Sequence, residues 1–215
     1  MIYHYLEALN AKRIILASSS ARRKEILDTL GLKFEILVPK FAENLNQDSF
    51  EHPKDYVVAT ATAKADEVRK RLSSQDQVGG APDLIVACDT CVTLDGKIYG
   101  KPIDDDHAAQ MLTMWSGRTQ EVISGVCLTH RLSADRQWRS NTFSETTSVK
   151  FHTLQQDAIA AYVRSGEPRG KAGAYGIQGP GGAMIEGIVG DYYNVVGFPL
   201  HHFCKVLLPL LQSSE

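Results

Sequence analysis

Short apolar runs alternate along this chain with stretches whose apolar residues recur every three or four positions, a pattern that predicts an α/β domain. The run Ile14-Ile15-Leu16-Ala17 within residues 12–18 reads as a buried strand, and Ser18, Ser19 and Ser20 then offer helix-capping hydroxyls. Ile26, Leu27 and Leu30 follow at helical spacing up to Gly31, and residues 32–39 return as a second strand. A polar loop over 43–52 leads to Pro53, which suits the first turn of a helix reaching about Leu72. The apolar stripe of that helix is Val57, Ala61, Ala65, Val68 and Leu72, with Lys64 on the same side. After a loop over 73–82, residues 84–88 form an apolar strand that Asp89 interrupts and residues 91–94 resume. Asp95-Gly96 signals a hairpin into Ile98 and Tyr99. Asp104 to Asp106 open another helix, lined by Ala108, Met111, Leu112 and Trp115 and stopped by Gly117.

Two long strands are expected over 121–130 and 138–151, joined by a polar turn over 131–137. Thr153 and Gln156 suggest a capping box for a helix ending near Gly166. Nine of the seventeen glycines fall between Gly170 and Gly197, which predicts a series of tight turns. The tail over 199–211 is helical in pattern, with Pro209 expected to bend or fray it.

At 215 residues the chain fits one domain spanning 1–215, and its 43% apolar content is that of an ordinary globular protein. No run approaches the roughly 18 apolar residues of a membrane span, and residues 1–10 lack the pattern of a secretory signal. A formal net charge of −2 argues against a nucleic-acid partner, while leaving room for a small anion held by a few cations. Cys88 and Cys91 form a CxxC, but in a strand positions three apart face opposite ways, and no second pair accompanies them. Buried free thiols in a reducing, cytoplasmic setting are expected.

Four segments could carry chemistry. Ser18-Ser19-Ser20-Ala21-Arg22-Arg23 stands where a strand turns into a helix, so it reads either as an anion site or as a capped helix with solvated arginines. Asp89-Thr90 follows a buried strand, where an ionised carboxylate needs a cation, a metal or several donors. Lys64 and Lys101, with Arg22 and Arg23, could surround one anion, or each could face solvent; Glu43 could join Asp89 around Mg²⁺. In residues 171–179 the glycines permit close backbone approach, and the Gln178 amide complements the O4 and N3–H edge of uracil or thymine; a glycine-rich packing turn reads equally well.

Taken in order, Leu16-Ala17-Ser18, Ser20-Ala21-Arg22-Arg23, Cys88-Asp89-Thr90, Gly100-Lys101-Pro102, Ser116-Gly117-Arg118 and residues 171–179 resemble the Maf family across about residues 13–205. The chain is also similar to the Maf-like portion fused to a methyltransferase-like domain in some animal proteins. Ala21 departs from the family's usual proline, and Gly100 from its usual glutamate. The resemblance implies an inosine-triphosphatase-like fold, an elongated mixed sheet flanked by helices, with two lobes about a central cleft. It implies hydrolysis of nucleoside triphosphates, in the subgroup acting on dTTP and UTP, to the monophosphate and pyrophosphate. By the same resemblance Asp89 is the catalytic base, and Glu43 and Asp89 hold a divalent cation (Mg²⁺, Mn²⁺ or Co²⁺). Ser18, Arg22, Arg23, Lys64 and Lys101 would bind phosphates, and Arg22, Thr90 and Gln178 would select the base. A homodimer is implied as well. The competing expectation is a nucleotide-binding regulator of cell division with little hydrolysis.

Overall fold

The computed structural model describes residues 2–73, 80–133 and 135–212. One seven-stranded mixed sheet organises them: β1 (Ile14–Ala17), β2 (Glu35–Ile36), β3 (Leu84–Leu94), β4 (Lys97–Tyr99), β5 (Thr119–His130), β6 (Arg139–Phe151) and β7 (Ile185–Val189). The spatial order is β2-β1-β3-β5-β6-β7, with β4 added to the far half of β3. β1 runs parallel to β2 and β3, and the remaining pairs are antiparallel. The helices are α1 (Leu6–Asn10), α2 (Ala21–Asp28), α3 (Pro53–Ser73), α4 (Asp105–Trp115), α5 (Gln156–Arg164), α6 (Tyr192–Val196) and α7 (Leu200–Gln212).

Alternation along β3 divides the core. Ile85, Ala87 and Cys91 face α3, which presents Val57, Ala61, Ala65 and Val68, all fully buried. Small residues let this helix lie close to the sheet. It comes close at Gly125 in β5, where a β-carbon would overlap the α3 backbone at Val57 and Val58. On the opposite face Leu84, Val86 and Cys88 pack with α2, α7, Phe198 and Phe203. Beyond β4 a third cluster gathers Trp115, Phe151, Leu112 and Ile159; the Trp115 indole N–H donates to the Gly173 carbonyl at 2.8 Å.

Several expectations are corrected. The strand over 32–39 shrinks to two exposed residues, because β2 is an edge strand that, among the described residues, pairs only with β1. Asp89 does not interrupt β3: its backbone pairs with Gly125, so the strand runs unbroken for 11 residues. No capping box forms at Thr153, since the α5 N-cap is Gln155 with no side-chain bond; the Ser116 hydroxyl instead accepts from the Leu154 N–H at 2.7 Å. The glycine-rich stretch holds β7 and α6 as well as turns. α1 has no counterpart in the apolar pattern, yet Leu9 and nearby Ile2 are buried. The helical tail expected over 199–211 is present as α7, which contains Pro209 and runs to Gln212. Most of the loop expected over 73–82, and residue 134 of the turn over 131–137, lie outside the described residues.

Other expectations hold. Asp95 and Gly96 both have positive φ, as a two-residue hairpin turn requires. Cys88 and Cys91 enter different hydrophobic clusters and are free thiols. Among the described residues no helix is long and apolar enough to cross a membrane.

Candidate active site

The site follows from how β3 is paired. β1 covers residues 84–87 of β3 and β4 covers residues 92–94, so residues 88–91 have no strand neighbour on that edge among the described residues. β1 points its carboxyl end at the gap, and the chain turns there into α2. A crevice beyond the strand ends is where open α/β sheets take ligands. A cavity of about 560 Å³ occupies it, reached from both faces of β3.

Asp89 faces the α3 side. Its Oδ1 accepts from Lys64 Nζ at 2.8 Å, and the same ammonium lies 3.0 Å from Glu43 Oε1. Lys64 is only 5% exposed, so its charge must be matched, and two carboxylates match it. The lysine on the apolar stripe therefore points into the cleft. Its placement depends on α3 lying close at Gly125, which pairs with Asp89 across the sheet. Glu43, 53% exposed at its side chain, reaches Lys64 from a left-handed backbone at φ 50°, a conformation that costs a non-glycine residue about 1 kcal/mol.

Thr90 faces the other side, where Arg23 dominates. Arg23 Nη2 donates to Thr90 Oγ1 at 3.0 Å, Nη1 to Ser18 Oγ at 3.3 Å, and Nε to the Gly197 carbonyl at 3.0 Å. The Thr90 hydroxyl is oriented in turn by Ser124 Oγ at 2.9 Å. Ser20 caps α2, its Oγ accepting from the Arg23 N–H at 3.4 Å, while the buried Ser18 hydroxyl accepts from the Ser20 N–H. The helix is capped, as one reading of this segment expected, but Arg23 is not solvated: it is braced at the cavity wall. Arg22 differs. Among the described residues it makes no hydrogen bond or ion pair, and its pKa is lowered, first by burial and then by the adjacent Arg23 charge. A half-buried, uncommitted guanidinium suits an anionic guest.

Ser18, Arg22, Arg23, Glu43, Lys64, Asp89, Thr90 and Lys101 all line the one cavity. Lys101 is exposed at its rim. Gln178 is not on that wall. It lines an adjoining cavity of about 110 Å³ with Glu167, Lys171, Arg22 and Val196, of which Arg22, Lys171 and Val196 also border the large one. Pattern reading missed the Gly197 carbonyl and Ser124, which brace Arg23 and Thr90; a hydroxyl in an otherwise apolar strand was the available signal for Ser124. Arg169 and Lys171 add two further cations to the wall.

Among the described residues no group of three His, Cys, Asp or Glu could hold a metal alone. The donor set nevertheless fits a hard divalent ion: two carboxylates already share one cation, and such an ion takes its remaining oxygens from phosphates and water.

Compared with known proteins, residues 13–210 match the family model described as "Maf-like protein". A human relative, "Probable bifunctional dTTP/UTP pyrophosphatase/methyltransferase protein", is 48% identical over 93% of this chain, which spans only 32% of that protein. Two relatives named "dTTP/UTP pyrophosphatase" are matched along nearly their whole length. That of Thermococcus kodakarensis is 42% identical over 90% of this chain and 94% of its own; that of Bacillus cereus is 39% identical over 94% and 91%. Among solved structures, "The structure of the Staphylococcus aureus Ham1 protein" aligns with a TM-score of 0.38 at 16% identity, covering 65% of this chain and 72% of that one, a likeness too distant to bear on the site.

Proposed function

Because the chain belongs to the Maf-like protein family, we propose that its cavity binds a nucleoside triphosphate, dTTP or UTP by preference, and cleaves it to the monophosphate and pyrophosphate. One observation carries this: a carboxylate pair bridged by a buried lysine faces, across one cavity, a capped helix N-terminus bearing two arginines. Pure binding of a polyanion needs the cations and not the acids. Two carboxylates against one lysine leave an excess negative charge beside the phosphate site, which repels the ligand unless the acids do chemistry or hold a further cation. That argues for turnover over a purely regulatory role.

Asp89, at the cavity wall, would orient a water and take its proton as the water oxygen bonds to phosphorus. The α–β anhydride bond breaks, and pyrophosphate leaves with the electron pair. Lys64, already at the carboxylates, would turn part of its charge toward the phosphate oxygens. Arg22, Arg23, Lys101 and the Ser18 hydroxyl would hold the rest of the tail and stabilise charge that grows in the transition state. A divalent cation such as Mg²⁺, Mn²⁺ or Co²⁺, held by Asp89 and Glu43, would offset charge on the pyrophosphate. Arg22, bordering both cavities, with Gln178 in the smaller and Thr90 beneath Arg23, would select the base. A base seated in the smaller cavity would be better accommodated as a pyrimidine than as a purine.

The test is a panel of nucleoside triphosphates with Mg²⁺, read by pyrophosphate release. The expected result is fastest turnover of dTTP and UTP. Absence of turnover on every triphosphate and metal, with binding intact, would overturn the proposal.

A further inference from the structure

The base subsite raises a discrimination that Gln178 alone cannot make. A glutamine amide carries a donor and an acceptor and can rotate by half a turn. In one orientation it complements the O4 and N3–H of uracil; in the other it complements the N4 amine and bare N3 of cytosine. Excluding cytosine takes a group of fixed polarity, one that only donates at position 4 or one that only accepts at N3. Glu167 is such a group on the wall of the same small cavity, just beyond α5. An ionised carboxylate accepts and never donates.

The surroundings hold it there. Lys171 Nζ lies 3.3 Å from Glu167 Oε1 and donates to the Glu167 main-chain carbonyl, so backbone and carboxylate are clamped by one ammonium. The turn carrying Gln178 closes onto this clamp. A β-carbon at Gly179 would overlap Glu167 Oε1, and one at Gly176 would press on Lys171 Cε at 2.9 Å. Among the described residues Oε2 makes no hydrogen bond, leaving an acceptor uncommitted. Arg22, electrostatically attracted to Glu167, borders both cavities and so links this acceptor to the phosphate side.

We infer that Glu167 is a specificity-determining residue, whose carboxylate accepts the N3–H of a uracil or thymine ring and repels the unprotonated N3 of cytosine. The inference rests on the pyrophosphatase reading of the larger cavity. Gln178 then supplies the donor to O4, its orientation fixed because the N3 side is already taken.

The experiment measures kcat/KM for UTP, CTP and N3-methyl-UTP with the wild-type chain and with Glu167→Gln. The wild type is expected to favour UTP over both others. In Glu167→Gln the UTP:CTP ratio should fall about tenfold, the scale of one base-edge hydrogen bond, because the new amide can donate to cytosine N3. A clamp that only shapes the loop would slow both substrates alike, so an unchanged ratio overturns the assignment. If Glu167→Gln does not fold, the wild type decides alone: equal use of UTP and CTP, or of UTP and N3-methyl-UTP, overturns it, and a clear preference for UTP over both supports it. A wild type that cleaves no triphosphate contradicts the pyrophosphatase reading itself, a distinguishable failure that removes the basis of this one.

Discussion

The two faces of β3 meet the same cavity with opposite strategies. On the α3 face, charge neutralises charge: Lys64 bridges Asp89 and Glu43, and Glu43 is half exposed in a loop. On the other face a single guanidinium is tied to neutral acceptors, two hydroxyls and a carbonyl, drawn from β3, the α2 N-terminus and the segment before α7. Ion pairs of the first kind can exchange partners when a polyanion and a cation arrive, since each charge finds a new counterpart. The second arrangement keeps its positive charge unspent while its geometry is fixed. Under the proposed function, the difference teaches that this site would separate the groups that change partners during turnover from those that keep them.

Substitutions sharpen the contrast. The largest effect is expected for Asp89→Asn, which keeps shape but removes the base: kcat should fall about 10³-fold while triphosphate binding persists, measured by pyrophosphate release and titration calorimetry. Turnover at the wild-type rate would remove Asp89 from the chemistry. Next comes Gly125→Ala, which forces α3 off the sheet beneath Lys64. A loss of about 3 kcal/mol in denaturant unfolding is predicted, and a neutral result would mean that the close helix approach does not position the lysine. Arg23→Lys keeps the charge but not the fork; stability should drop by about 2 kcal/mol as Ser18, Thr90 and the Gly197 carbonyl lose their shared donor. By contrast Arg22→Lys, lacking such bonds to lose, should leave the melting temperature nearly in place.

Smaller still, Gln178→Ala should flatten the dTTP and UTP preference about tenfold with little change in fold, measured on the triphosphate panel. The least effect concerns the CxxC. Burial raises the Cys88 thiol pKa and pushes that of Cys91 up to about 12, so neither forms thiolate near pH 8. Alkylation of the folded chain should spare both, with mass spectrometry as the readout; rapid modification would mean the strand opens at the site.

Much of this was legible in the residues. Apolar runs and helical stripes placed β1, β3, β5, β6 and α3, because each buries a face against the same sheet. Lys64 stood out as a charge on an apolar stripe, and Asp89 as a charge in an apolar strand; each is the other's explanation. What pattern could not show depended on partners distant in sequence. β2 is short because, among the described residues, nothing pairs with its outer edge, and Asp89 stays within the strand because Lys64, 25 residues away, offsets its charge. β7 and α6 were hidden among glycines that break local periodicity. Gln178 reads as part of one glycine-rich motif, yet the fold sets it in a cavity beside the main one, joined through Arg22.

The central claim is that both faces of β3 hold one triphosphate at once. A crystal structure with a non-hydrolysable α,β-imido UTP and Mg²⁺ tests it most directly. The account predicts a phosphate chain spanning the gap at residues 88–91, touching Lys64 on one side and the Ser18–Arg23 turn on the other. A nucleotide bound along one face alone, or outside this cavity, would contradict it.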